Sequence, residues 1–302
     1  MKLAYVALDG RSFAAVRHED HYIDLSRTSF NWTGSLGDLI RQGPDALAQA
    51  KSAAQTTDSS ALVSVEAVDH LLLTEPRTIT CVGSNYAAHI RERGKDLPKE
   101  PSCFMRSLAS LVPHRQALEL PANSVEFDYE VELAIVVGRA GRCIPIDQAL
   151  DYVAGYTLMN DGSVRDFQSR YYNVTLGKNF PNSGALGPEM VTADELPPGA
   201  NGLRIRTWVN GETAQDSSTS DLIFDVPMLV SLVSHTVGLR PGDIIATGTP
   251  SGVAAGQTPP RWLKAGDQVE MEIEGVTRLS NPVVNAPKAI APYSRSDYAP
   301  KA

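Results

Sequence analysis

Cysteine is scarce in this sequence, and the cysteines that occur lie far apart. Cys81, Cys103 and Cys143 are odd in number and include no close pair. They therefore predict neither a disulfide framework nor a CxxC metal site, and a reducing compartment suits them. The opening MKLAYVALDGRSF has no basic stretch followed by a long apolar one, so it does not predict a secretory signal. We expect a cytoplasmic protein.

Long apolar runs and basic runs are also missing. No stretch approaches the length that a membrane-spanning helix requires. The formal net charge is −8, and no segment is rich in lysine and arginine. Such a chain is a poor partner for a nucleic-acid backbone or an anionic membrane. We expect neither of these as a partner, although a small anionic ligand responds to local charge and stays possible.

Two common nucleotide-binding motifs are absent as well. No GxGxxG opens a strand–helix–strand unit, and no GxxxxGK[ST] occurs anywhere in the chain. GTPSG, at residues 248–252, follows a predicted strand, but nothing after it has the pattern of a phosphate-binding helix. These absences argue against an NAD-dependent enzyme and against a P-loop enzyme.

The patterns that are present indicate an α+β fold. Short strand-like apolar runs alternate with turns. Helical patterns, among them NYAAHIRERG and IDQALDYVAG, stand between these runs without regular strand–helix alternation, which favours a folded-over sheet. Residues 1–72 are predicted to form a small N-terminal α/β domain, with a hairpin at Asp9-Gly10 followed by helical spacing of Leu and Ala that is broken at Gly43-Pro44. Residues 73–285 are the predicted main domain. Residues 286–302 are a Pro-rich polar tail, mobile or resting on a partner.

An acidic alternation marks the point where one predicted strand enters the core, in EFDYEVELAIVV at residues 126–137. Alternate strand residues share a face, so Asp128, Glu130 and Glu132 are expected to point the same way. A solvent-exposed edge strand would explain them, but LAIVV is typical of a strand covered on both faces.

Buried carboxylates repel one another unless a cation compensates, and Mg²⁺ takes oxygen ligands of this kind. Asp161, which follows the strand-like YTLMN and precedes Gly162, is a candidate third ligand. The same pattern fits a turn residue or a helix N-cap.

Several separated segments between residues 80 and 284 resemble, in order, motifs of the fumarylacetoacetate hydrolase superfamily, and of its acylpyruvate hydrolase-like members in particular. The resemblance implies a mixed β-roll catalytic domain with inserted short helices. The segments are VGSNYAAHIRERG, FDYEVELAIVVG, YVAGYTLMNDGSVRDFQ, LGKNFPNSGALGP, VNGETAQDSSTSDLIFDV, LRPGDIIATGTPSGV and LKAGDQVEMEIEG.

The resemblance also implies a metal site. Its pattern assigns Glu130, Glu132 and Asp161 as ligands of Mg²⁺ or Mn²⁺, and both ions suit oxygen donors. Asp128 is not a ligand in that pattern, but it could hydrogen-bond to groups around the ion. Many members have NDVSARD where this chain has NDGSVRD, so Gly162 is expected to reshape the turn after Asp161.

Catalytic residues follow from the same resemblance. His89 and Glu92 match a pair on a short helix over the site, and residues three apart share a helix face, so Glu92 could orient the imidazole. An ordinary surface His/Glu contact is the alternative. Lys178 matches a site lysine that would stabilise an enolate, whereas a lone Lys is usually a solvated surface charge.

Three further residues are predicted to bind substrate. Gln168 and Thr249 match positions that hydrogen-bond substrate in the family, with a helix cap and a tight turn as the respective alternatives. Arg106 stands in FMRSLAS where many members have Lys. Because Arg binds carboxylates in a bidentate manner, we expect Arg106 to hold a substrate carboxylate.

The resemblance implies a leading function and two alternatives. The leading hypothesis is metal-dependent hydrolysis of a C–C bond in a β-diketo acid, such as an acylpyruvate from aromatic-compound catabolism. An oxaloacetate-type decarboxylase or keto–enol isomerase would use the same metal site. A non-catalytic metal-binding scaffold is the third hypothesis, because fold alone does not guarantee activity. A homodimer is expected by resemblance, with a small 2-oxo or diketo acid as substrate.

Overall fold

The computed structural model describes residues 1–56, 59–92, 96–170 and 174–287. Within them the strands are β1 (Lys2–Leu8), β2 (Arg11–His18), β3 (His21–Asp24), β4 (Leu62–Ser64), β5 (Asp69–His70), β6 (Ile79–Gly83), β7 (Ser102–Arg106), β8 (Leu111–Val112), β9 (Leu118–Leu120), β10 (Phe127–Asp128), β11 (Val131–Val137), β12 (Val153–Asn160), β13 (Ser163–Val164), β14 (Gly184–Thr192), β15 (Arg204–Val209), β16 (Glu212–Ser218), β17 (Ile244–Ala246), β18 (Gln268–Ile273) and β19 (Thr277–Asn285). The helices are α1 (Leu36–Arg41), α2 (Pro44–Gln55), α3 (Ala87–Glu92), α4 (Arg165–Arg170), α5 (Val174–Lys178) and α6 (Val226–Thr236).

Most strands belong to one large mixed sheet. Its order is β4-β3-β2-β1-β14-β12-β11-β17-β6-β7, with β5 beside β1 and β8 beside β14. The N-terminal strands join it through antiparallel pairing of β1 with β14, where Leu3 lies opposite Met190. Leu3, Leu39 and Met159 also belong to one buried apolar cluster. The predicted boundary at residue 72 therefore crosses a continuous sheet and a shared core, and it stays a prediction.

A second, five-stranded sheet covers the central strands of the first. Its order is β16-β15-β18-β19-β9. Leu133 and Ile135 of β11 belong to the same buried cluster as Met271 of this sheet. Ala134 and Val136, on the opposite face of β11, belong to the cluster that includes the N-terminal elements. Because both faces of β11 are covered, all of VELAIVV is buried. The predicted α+β architecture is confirmed.

Local turn chemistry agrees with the sequence at most points. The hairpin at Asp9-Gly10 is present, and both residues have the positive φ that a tight turn of this kind requires. The helical segment is broken at Gly43-Pro44 as expected. The segment IDQALDYVAG, predicted as helical, is instead a 3-10 turn over Ile146–Tyr152 followed by β12. Strand pairing of Val153 with Val137 outweighs the local helical pattern there.

Three further observations concern the sequence-level expectations. Cys81, Cys103 and Cys143 are free. None of the helices that the structure describes has the length and apolar character needed to cross a bilayer. The predicted tail begins at Ala286, whose N–H donates to Leu120 O at 2.9 Å, and its residues 288–302 lie outside the described residues.

Candidate functional site

Three carboxylates from two neighbouring strands converge at one point. Glu132 lies on β11, Glu130 immediately precedes that strand, and Asp161 immediately follows β12. The two strands pair antiparallel with Val131 opposite Asn160, so the beginning of one meets the end of the other. Oxygens of the three carboxylates lie within 4.8 Å of one another, and all three residues are buried.

A buried lysine links two of the three carboxylates. Lys178, at the end of α5, is 2% exposed. Its Nζ donates to Glu130 Oε2 at 2.6 Å, to Asp161 Oδ2 at 2.5 Å and to Asp161 O at 2.9 Å. Burial lowers the pKa of Lys178, but the charges of Asp161 and Glu130 outweigh burial and raise that pKa. The side chain is therefore an ammonium group at neutral pH.

The two glutamates differ in how their charge is compensated. Burial raises the pKa of Glu130, but Lys178 and Arg165 outweigh it and hold that pKa well below its usual range. Glu132 accepts a hydrogen bond from Gly248 N at 2.9 Å and forms no ion pair within the described ranges. Burial, together with the charges of Asp161 and Glu130, raises the pKa of Glu132 well above its usual value.

This imbalance fits a bound cation. The donor set consists of carboxylate oxygens alone, which hard divalent ions such as Mg²⁺ and Mn²⁺ prefer. A divalent ion would remove the penalty on the Glu132 charge, because Lys178 offsets that penalty only in part and no cationic side chain of the described residues forms an ion pair with Glu132. The residues present therefore fit the metal that the sequence predicts, with Glu130, Glu132 and Asp161 as its ligands.

Asp128 lies apart from Glu130 and Glu132, the other two acidic residues of the alternation. β10 ends at Asp128 and β11 begins at Val131, so the expected single face is interrupted. The carboxylate of Asp128 accepts hydrogen bonds from Ala254 N at 2.7 Å and from Ala255 N at 3.1 Å. The solvent-exposed edge strand is wrong as an explanation, because Asp128 and Glu132 are no more than 1% exposed.

Arg165, at the start of α4, lines a cavity that Glu130, Glu132 and Asp161 also line. The sequence analysis did not predict this residue. Its guanidinium donates to Asp128 Oδ2 at 2.8 Å, to Glu130 Oε1 at 2.5 Å and to Gln168 Oε1 at 3.0 Å. The sequence did contain a signal for this residue, because several neighbouring carboxylates need cationic partners and Arg165 lies in the same motif as Asp161, NDGSVRD.

Arg106 lies behind Asp161 rather than in the cavity. Its guanidinium donates to Asp161 Oδ1 at 2.6 Å, Gly162 O at 2.9 Å, and the hydroxyls of Ser110 and Ser183. Since these protein acceptors occupy the guanidinium, it is not placed to hold a substrate carboxylate as predicted, and we assign it to positioning Asp161. Gly162 is tightly packed here, because a Cβ would lie 1.9 Å from Ser183 O.

The predicted catalytic pair lies on the short helix α3. His89 is 4% exposed and lines the cavity, with its Nδ1 3.5 Å from Glu92 Oε2. Asn85 fixes the start of this segment, since its side-chain amide donates to Phe224 O at 2.9 Å and to Thr247 O at 2.8 Å. The structure describes helix α3 as far as Glu92, and residues 93–94 of the predicted helical segment NYAAHIRERG lie outside the described residues.

Thr249 and Gln168 both line the same cavity. Thr249 Oγ1 accepts a hydrogen bond from Gln215 Nε2 at 2.9 Å. Gln215 also donates to Pro250 O and accepts from Val131 N. Gln215 is a second residue that sequence reasoning missed, and it couples the Thr249 loop to the strand that carries Glu132.

The cavity has a volume of about 490 Å³, with His89, Lys178 and the acidic triad on its wall and Phe104 and Trp262 as apolar lining. An imidazole, an ammonium group and a candidate site for a divalent cation therefore face one cavity. This arrangement can bind an oxo acid through its oxygens, stabilise an enolate and transfer a proton.

The chain is similar in sequence to a known protein family and to named relatives. The sequence model of the family described as "Fumarylacetoacetate (FAA) hydrolase C-terminal" matches residues 78–284. The chain is 38% identical over 266 residues to the protein named oxaloacetate tautomerase fahd2, mitochondrial, of Xenopus laevis, covering 87% of this chain and 82% of that protein. It is 34% identical over 301 residues to oxaloacetate tautomerase YisK of Bacillus subtilis (strain 168), covering 94% of this chain and 100% of that protein.

The chain is also similar in structure to a solved protein. The fumarylacetoacetate hydrolase EaFAH from psychrophilic Exiguobacterium antarcticum superimposes with a TM-score of 0.82 at 32% identity. The superposition covers 95% of this chain and 100% of that chain.

Proposed function

We propose that this chain, which belongs to the fumarylacetoacetate hydrolase family, is a metal-dependent enzyme that interconverts the enol and keto forms of a 2-oxo dicarboxylic acid of the oxaloacetate type. The observation that carries the proposal is the convergence of the buried acidic triad, Lys178 and His89 on one cavity. The named activities of two relatives favour this reaction over the C–C hydrolysis that the sequence placed first.

Glu130, Glu132 and Asp161 would hold the divalent cation, Mg²⁺ or Mn²⁺. When bound, the cation supplies Lewis acidity toward the oxo and carboxylate oxygens of the substrate. The Lys178 ammonium fixes the orientation of Glu130 and Asp161, and it adds positive charge beside a developing enolate.

His89 is the proposed proton-transfer group. Tautomerisation removes a proton from the enol oxygen and delivers one to the neighbouring carbon, and the reverse direction exchanges these roles. An imidazole can both accept and donate a proton through its ring nitrogens, which suits it to this exchange. Glu92 orients the ring, and Gln168 and Thr249 offer hydrogen bonds to substrate oxygens.

Hydrolysis of a C–C bond in an acylpyruvate is the second candidate. It is favoured by the His89–Glu92 contact, because a base with an orienting carboxylate suits activation of water. It is also favoured by the name of the solved hydrolase that this chain resembles. The same residues would act, with His89 removing a proton from water instead of from the substrate.

The deciding experiment supplies the purified protein, first stripped by a chelator, with Mg²⁺ or Mn²⁺ and either enol oxaloacetate or an acylpyruvate. We expect the enol absorbance of oxaloacetate to decay at least about 100-fold faster than with metal alone. NMR should show the keto tautomer without loss of carbon. Cleavage of the acylpyruvate with slow oxaloacetate turnover would favour hydrolysis, and loss of CO₂ would favour decarboxylation.

The scaffold hypothesis has its own outcome in the same experiment. It would be favoured if calorimetry shows that the metal binds while no 2-oxo acid is converted. A homodimer and a cytoplasmic location are further proposals, which sedimentation and cell fractionation can check.

A further inference from the structure

The turn Ala254–Gly256 contacts the carboxylate of Glu92. A Cβ at Gly256 would lie 2.6 Å from Glu92 Oε1, 2.7 Å from its Cδ and 3.0 Å from its Oε2. These are the three nearest heavy atoms to that position, so the space that a side chain would take at residue 256 is filled by the Glu92 carboxylate.

The main chain at Gly256 is held firmly. The two preceding residues donate their N–H groups to Asp128, at 2.7 Å from Ala254 and 3.1 Å from Ala255. Gly256 N itself donates to Val253 O at 3.0 Å. Asp128 is fully buried and is fixed in turn by Arg165 Nε at 2.8 Å. An added methyl group would therefore displace Glu92, which is a flexible side chain, rather than the turn.

Backbone conformation does not explain the glycine. Gly256 lies in a 3-10 turn and is not in the left-handed region that favours glycine, unlike Gly248 and Gly252 in the same loop. An alanine could adopt this backbone without strain. The absence of a side chain matters here because of the space it leaves for Glu92.

We propose that Gly256 is a positioning residue. Because it has no side chain, the Glu92 carboxylate packs against it with Glu92 Oε2 3.5 Å from His89 Nδ1. Through Asp128, the turn that contains Gly256 connects helix α3 to the segment that leads into Glu130 and β11. The inference rests on the proposed function in one respect, namely that the His89–Glu92 pair transfers a proton.

The test is Gly256→Ala. An ordinary contact of roughly 3.5 Å would push the carboxylate back by about 1 Å, and a displacement of this size can lower turnover by about 10- to 100-fold. We expect kcat for oxaloacetate to fall by that factor with KM nearly unchanged. The melting temperature should stay the same, because only the end of a flexible side chain moves.

Two controls separate positioning from a general disturbance. In a Glu92→Ala background no carboxylate remains to be displaced, so Gly256→Ala should have almost no further effect on kcat, a strongly non-additive result. Gly238→Ala adds the same methyl group away from the cavity, where its nearest neighbour is Arg142 Cγ at 3.3 Å. This control should retain wild-type kinetics.

A readout that needs no turnover completes the experiment. The ¹⁵N resonances of the His89 imidazole, assigned by comparison with His89→Gln, should shift in Gly256→Ala and not in Gly238→Ala. If the resonances shift but the protein converts neither substrate, the positioning role of Gly256 is supported and the proposed function is rejected. The positioning role would be contradicted by unchanged His89 resonances, or by equal losses of kcat with and without the Glu92 side chain.

Discussion

Two polar clusters in the described part of the molecule, each with buried carboxylates, differ in how completely their charges are matched. The cavity cluster consists of Glu130, Glu132, Asp161 and Lys178, and its Glu132 has no ion-pair partner within the described ranges. The junction cluster consists of Arg17, Tyr22, His70 and Glu189, where the N-terminal strands meet β14 and β19.

In the junction cluster every oxygen of the carboxylate is satisfied. Glu189 Oε1 accepts from Tyr22 Oη at 2.8 Å and from Arg17 Nη1 at 3.3 Å, and its Oε2 accepts from Thr277 Oγ1 at 3.2 Å. The single negative charge of Glu189 has a cationic partner in Arg17, so this charge is compensated without a ligand. The comparison teaches that burial of a carboxylate alone does not indicate a site, whereas buried negative charge in excess of its cations does.

The largest effect is expected from Glu132→Gln, which removes the unmatched charge. Activity should fall by at least about 1,000-fold, because the cation loses a ligand and with it several kcal/mol of stabilisation. Without metal, the variant should melt at the same temperature as the wild type or higher, since a repulsive buried charge is gone and the amide oxygen can still accept from Gly248 N. Kinetics with added metal and calorimetry with a chelator measure the two effects. A large loss of stability under chelator would contradict the contrast between the clusters.

Glu189→Gln is the matched change in the junction cluster, and the opposite result is expected. The free energy of unfolding should fall by roughly 3 kcal/mol, because Arg17 and Tyr22 lose the charge that they share. Turnover should stay within a few-fold of the wild type, since the cluster lies outside the cavity. Urea unfolding and steady-state kinetics measure these effects. A strong loss of activity with unchanged stability would show that the junction cluster serves the site.

A smaller effect is expected from pH. Burial, with smaller contributions from His114 and Arg115, lowers the pKa of His70 to about 3. Between about pH 6.5 and pH 3 the unfolded chain takes up a proton at this residue and the folded chain does not, so stability falls as pH decreases through that window. At pH 4.5 the free energy of unfolding is lower by about 2.7 kcal/mol for this reason, at about 1.36 kcal/mol per pH unit.

His70→Gln tests this pH effect directly. The free energy of unfolding should decline less between pH 7 and pH 4.5 in this variant than in the wild type. His18→Gln, at an exposed histidine, should leave the wild-type decline unchanged. Equal declines in all three proteins would show that His70 does not carry the effect.

Much of the site could be predicted from the sequence because it depends on local patterns. The carboxylates Glu130 and Glu132 stand next to an apolar run, so their burial was predictable from the residues. The grouping of Asp161 with them followed from the resemblance to the family, because the residues alone also fitted a turn or a helix N-cap. The missed residues contact groups far along the chain. Gln215 donates to Thr249, and Arg165 donates to Asp128. The need for cations beside the carboxylates was visible in the sequence, but the partner of each of these two side chains was not.

By itself the sequence determined that VELAIVV is a buried strand, where the turns at Asp9-Gly10 and Gly43-Pro44 fall, and which residue types could hold a cation. Only the tertiary structure decided that Asp128 supports a loop, that Arg106 supports Asp161, and that Glu132 has no ion-pair partner among the described residues. The physical reason is that burial and turn formation depend on neighbours in sequence, whereas charge compensation depends on which distant side chains the folded sheets bring within hydrogen-bond reach.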